Sequence, residues 1–129
     1  MKPPREALVH LASDASSLKA GRRFVAETLR DWNVDEARID PVVLVANELV
    51  ANAIVHANSA PVLSLAATGS ELVLRVDDES PELPVARAAG PDDLGGRGLV
   101  VVDALVDRWG IDTRPGGKSV WAAFAATVG

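Results

Sequence analysis

Apolar and polar positions alternate loosely from Glu6 to Ser13, which predicts a short first strand. From Asp14 or Ser16, either of which can cap, the spacing becomes helical and stays so to about Trp32. Leu18, Val25, Leu29 and Trp32 share one side of that helix, and Arg22, Arg23, Glu27 and Arg30 the other. Asp40-Pro41 opens a second helix, with aspartate as cap and proline at the first helical position, reaching about Ala57. Two β-type runs, Val62 to Ala67 and Leu72 to Val76, join at Gly69-Ser70 as a hairpin. From Asp77 to Gly98 the chain is rich in Pro, Asp and Gly and has no periodicity; a loop that long in a small domain is usually functional or disordered. A third helix starts near Gly98. Two closing strands, Trp109 to Thr113 and Ser119 to Ala126, flank the turn Arg114-Pro115-Gly116-Gly117. The order predicts one α+β domain over residues 1–129, a two-layer sandwich with helices on one face of a mostly antiparallel sheet.

The second helix carries the most chemistry. Its apolar side chains cover nearly the whole circumference, so it is expected to be buried on most sides. Yet Glu48, Asn52 and His56 recur at every fourth position as one polar stripe. A carboxylate on a buried helix is costly unless paired or ligand-bound. Glu48 could serve as a general base, and the Asn52 amide oxygen could ligate Mg²⁺; the alternative is a stripe that faces solvent. At the end of the strand Leu72 to Val76, Asp77-Asp78-Glu79-Ser80-Pro81 offers carboxylates to an exocyclic amine, or simply makes a solvated turn. Gly95-Gly96-Arg97-Gly98-Leu99 leads into the third helix, where free N–H groups and the helix dipole favour phosphate. Its glycine spacing is not that of a dinucleotide fold, and no Gly-Lys-Ser/Thr opens a helix.

Composition narrows the choice. The chain has 129 residues, 48% hydrophobic and 24% charged, which suits a packed domain. With no cysteine, disulfides, thiolate catalysis and cysteine metal sites are excluded, and two histidines make a zinc site a poor reading. A net charge of -5 argues against broad binding to nucleic acid or anionic lipid. No window has the ~18 uninterrupted apolar residues of a membrane span, and MKPPREALVH is no signal peptide. Cytoplasmic localisation is the expectation.

Together the motifs resemble a known pattern. Glu48-Leu-Val-Ala-Asn52-Ala-Ile-Val-His56-Ala looks like the N box of the GHKL (histidine-kinase-like) ATPases, whose fold is the Bergerat-type sandwich. Asp78-Glu-Ser-Pro-Glu82 stands where their first glycine box would be, and Gly96-Arg-Gly98-Leu99 looks like the second. Gly117-Lys118-Ser119-Val120-Trp121 is similar to the closing strand of the bacterial anti-sigma-factor serine kinases and their actinobacterial relatives. The resemblance covers about residues 14 to 126. It implies ATP and Mg²⁺ as ligands, with Asn52 holding Mg²⁺, Glu48 as the base, and Asp78 taking the adenine amino group. Asp77 is the rival to Asp78 if the register slips by one. Ser80 would border the adenine, and Gly96, Arg97, Gly98 and Leu99, with Arg87 adding charge, would cover the phosphates in a lid of about residues 79–97. Ser119 would sit near the adenine, and His56 would pack beneath the site, the alternative being that it orients Asn52. The first glycine box departs from its usual Asp-x-Gly-x-Gly, with Ser80 and Glu82 in place of both glycines.

By resemblance the partners are a sigma factor and an anti-sigma antagonist, with no nucleic acid or membrane, and a homodimer through the early helix or sheet edge is a further expectation. The leading reading is an ATP-dependent transcription-regulatory switch that phosphorylates a serine on the antagonist. Its rival is a catalytically silent nucleotide-binding interaction module. A sensor histidine kinase is disfavoured because no helix pair bearing a phosphoacceptor histidine is seen. A plain interaction domain would leave the Glu48, Asn52 and His56 stripe unexplained.

Overall fold

The computed structural model describes residues 5–57, 60–79, 102 and 104–125, without the side chains of His56 and Ala57. Strand β1 (Arg5–His10) leads into helices α1 (Ser16–Asp31) and α2 (Glu36–Asn52), and a π-helical turn continues α2 over Ala53–Ala57. Strands β2 (Val62–Thr68), β3 (Glu71–Asp78), β4 (Arg108–Arg114) and β5 (Gly117–Ala125) follow. They form one five-stranded sheet in the order β1-β2-β3-β5-β4, every pair antiparallel. The architecture is the expected α+β sandwich. No helix among the described residues is long and apolar enough to cross a membrane.

Alternation along the strands decides which side chains meet the helices. Leu63, Leu65 and Ala67 on β2, Leu72, Leu74 and Val76 on β3, and Val120, Ala122 and Phe124 on β5 point to one face and are buried. From the helices come Val25, Leu29, Ile39, Val42, Val45, Leu49 and Val50, all in the same core. Burying each such side chain contributes roughly 1.5–3 kcal/mol. On α1 the small residue is Gly21: a Cβ there would sit 3.5 Å from Leu63 and 3.7 Å from Val50, so the helix rides close to the sheet and to α2.

The start of α2 differs from the sequence expectation. It begins at Glu36 rather than at Asp40-Pro41, and Pro41 lies inside it. Val34 and Ile39 occupy the positions of a hydrophobic staple around Asp35, and both are buried, at 6% and 1% exposure. Their burial outweighs the one helical N–H that Pro41 lacks. Helix α1 begins after Ala15, and Asp14 caps from one residue further out, its Oδ1 accepting from the Ser16 N–H at 2.9 Å and from the Ser16 hydroxyl. Most of the expected third helix lies outside the described residues. Val102, Ala104 and Leu105 are helical, Val102 is fully buried, and the Val106 N–H donates to the Val102 carbonyl at 3.1 Å.

The opposite sheet face is strapped by ion pairs that cross β5. Arg108 reaches Glu71 at 2.6 Å and Arg75 reaches Asp112 at 3.1 Å. Between them the Trp121 indole lies under the Arg108 guanidinium, 5.5 Å from ring centre to Cζ, and over Gly110 of β4.

Candidate functional site

Helix α2 delivers Asn52 in its last turn, against the two central strands. The residue is 7% exposed, and among the described residues neither its Oδ1 nor its Nδ2 has a hydrogen-bond partner. A buried amide left in that state costs about 1–3 kcal/mol per unmet group, so its atoms are available to an ordered water or a ligand. Directly after it comes the π-helical turn, a distortion found often at functional sites.

Beneath Asn52 the register of β3 on β5 selects the polar side chains. Val76 pairs with Val120, Asp77 with Ser119 and Asp78 with Lys118. Because Val76 faces the helices, Asp78 and Lys118 face them too. Both are buried, with side-chain exposures of 2% and 4%. The Lys118 Nζ donates to both carboxylate oxygens of Asp78, 3.0 Å from each. Asn52, Asp78 and Lys118 line one cavity of about 10 Å³, with Leu49 and Ala53 from the helix and Val76 and Val120 from the sheet.

The structure therefore brings Asn52 and Asp78 to one cavity. It separates Asp77, which lies on the other sheet face. Ser119 goes with Asp77: its hydroxyl donates to Asp77 Oδ1 and accepts from Arg114 Nη1 at 3.2 Å. The expectation that Ser119 borders the same site as Asp78 is corrected by this register, since adjacent strand residues point to opposite faces. Its neighbour Lys118 takes the inner position. Lysine in a glycine-flanked turn reads as solvated, but β5 begins at Gly117, one residue after the Pro115-Gly116 turn, and this puts Lys118 on the buried face. Gly117 itself admits the approach, since a Cβ there would lie 2.6 Å from the Asp78 carbonyl oxygen.

Glu48 stands one helical turn before Asn52, half-buried. His56 lies in the π turn, its side chain outside the described residues, as are Ser80, Arg87, Gly96, Arg97, Gly98 and Leu99.

The residues present fit a nucleotide and its cation unequally. The Asn52 amide, buried and unsatisfied, suits coordination through Oδ1. Asp78 has the chemistry to accept from an exocyclic amine, but in this conformation its oxygens are held by Lys118.

The profile of the histidine kinase-like ATPase domain matches residues 11–124. The chain belongs to that family. No curated protein matches it. Among solved structures it is similar to the RsbU and RsbW domains of Rv1364c from Mycobacterium tuberculosis, at a TM-score of 0.72 and 21% identity over 98% of this chain. The likeness covers 33% of that protein's chain, so this chain spans about a third of its length. The histidine kinase AdeS from Acinetobacter baumannii is similar at a TM-score of 0.51 and 17% identity, over 94% of this chain and 68% of that one. At such identities the likeness establishes the shared fold.

Proposed function

We propose that this chain is an ATP- and Mg²⁺-binding regulatory protein of anti-sigma-factor type that phosphorylates a serine on an antagonist protein. The observation that carries the reading is the buried, unpartnered amide of Asn52 in the cavity that Asp78 also lines. Asn52 would hold the cation against the triphosphate, and Asp78 would accept from the base amine. Bound Mg²⁺ supplies charge neutralisation of the phosphates. Glu48 would take the proton of the attacking hydroxyl while the γ-phosphoryl group passes to that oxygen and ADP departs. The glycine segment with Gly96, Arg97, Gly98 and Leu99, and Ser80 beside the base, complete the proposed site. A sigma factor and its antagonist are the proposed partners. The similarity to the RsbU and RsbW domains of Rv1364c supports this choice.

The test is thermal unfolding with and without ATP and Mg²⁺. A ligand at about 100 times its Kd stabilises by ~2.7 kcal/mol, a rise of several degrees in Tm. Asn52→Ala should abolish the rise while leaving the ligand-free Tm unchanged or higher, because it deletes an unsatisfied buried group. Glu48→Gln should keep the rise and lose ADP production. If wild type shows no rise at millimolar ATP, the reading falls.

A further inference from the structure

We propose that Lys118 is a latch on this pocket, holding the carboxylate of Asp78 so that a purine nucleotide enters only when the lysine side chain leaves. The inference rests on the ATP-binding reading and adds to it a residue that sets how readily the base is admitted. Both oxygens of Asp78 are 3.0 Å from the ammonium, at a site from which water is nearly excluded. The cavity left beside the pair, about 10 Å³, is room for one water at most, whereas small-molecule pockets run to roughly 300 Å³ or more. A base cannot share that space with the ammonium. Lysine is suited to moving aside. Its charge rides on a flexible four-carbon stem, and its cross-strand neighbour on β4, Thr113, is exposed, which opens a way to solvent. An incoming exocyclic amine would replace one donor by another, so the carboxylate exchanges partners and is not left buried alone. Asn52, which lines the same cavity, needs no such exchange, because no group among the described residues bonds its amide. The amide that would meet the cation is thus uncommitted, while the carboxylate that would meet the base is held.

The experiment is calorimetric titration of ATP with Mg²⁺ into wild type and Lys118→Ala, together with the ¹H–¹⁵N signal of the Lys118 ammonium in wild type. A latch open in a tenth of the molecules weakens apparent binding about tenfold, so Lys118→Ala should bind ATP roughly tenfold tighter or more. Its ligand-free Tm should fall, since Asp78 loses its buried partner. In wild type, saturation with nucleotide should move or abolish the ammonium signal, a readout available even if the variant fails to fold. An affinity that does not rise, or an ammonium unmoved at saturation, overturns the latch and leaves the ATP reading standing. Binding to neither chain removes both.

Discussion

Asn52, Asp78 and Lys118 differ in how their burial is compensated. The carboxylate and ammonium are paired at 3.0 Å, whereas the amide is not satisfied at all. Among the described residues, only the last is a standing cost that a ligand could relieve. Among the other described residues no charged side chain is fully buried. Asp14 accepts hydrogen bonds from the hydroxyl and the N–H of Ser16 at the start of α1, and these hold its carboxyl below the usual range. A depressed carboxylate contributes stability above its unfolded pKa and loses it as the pH falls through the folded value. Asp14→Ala should therefore lower Tm at neutral pH, and the gap from wild type should close as the solution is taken below the carboxylate range, as followed by circular dichroism. An unchanging gap would mean that the cap works through packing.

At the scale of elements, β3 and β5 matter most, because their register sets the site. Two turns close the flanking hairpins: Gly69, at φ +59°, joins β2 to β3, and Gly116, at φ +77°, joins β4 to β5. Left-handed backbone of this kind suits glycine. Gly117 has a different role, admitting the Asp78 carbonyl to a distance no side chain would allow. Gly117→Ala should force the two strands apart beside the ion pair and destabilise by about 1–3 kcal/mol, measurable by urea unfolding. The same change at Gly21 meets only ordinary contacts of 3.5 Å and more, and serves as the control. The α1–α2 junction is tied by Arg30 and Glu36 at 2.6 Å, an exposed pair whose hydrogen bond lowers the glutamate's pKa and raises that of the arginine. The helix boundary beside it was misread from sequence. Asp40-Pro41 is a good start signal locally, but Val34 and Ile39 are buried one turn earlier, and tertiary packing decides.

For the molecule as a whole, stability resides in one layer of apolar side chains between the sheet and the helices. Leu74, at the centre of β3 and paired on both sides, is fully buried, whereas Leu8 on the edge strand β1 is 60% exposed. Leu74→Ala should cost about 2–5 kcal/mol, a large part of the 5–15 kcal/mol typical of a domain. Leu8→Ala should stay within about 0.5 kcal/mol. Thermal unfolding of the two variants separates a single cooperative core from a sheet with two independent faces.

The sequence by itself determined the strands, the first two helices, their order and the sandwich class, because periodicity and turn residues are local properties. It also brought forward Asn52 and the Asp77-Asp78 pair, since a polar residue in an apolar helix and acids at a strand end stand out without any structure. Tertiary structure alone decided which aspartate turns inward, that Ser119 turns away, and that Lys118 meets Asp78. The physical reason is the two-residue period of a strand. A shift of one position reverses every side chain, and that position is fixed only when β3 and β5, separated by forty residues of sequence at Asp78 and Lys118, pair in space.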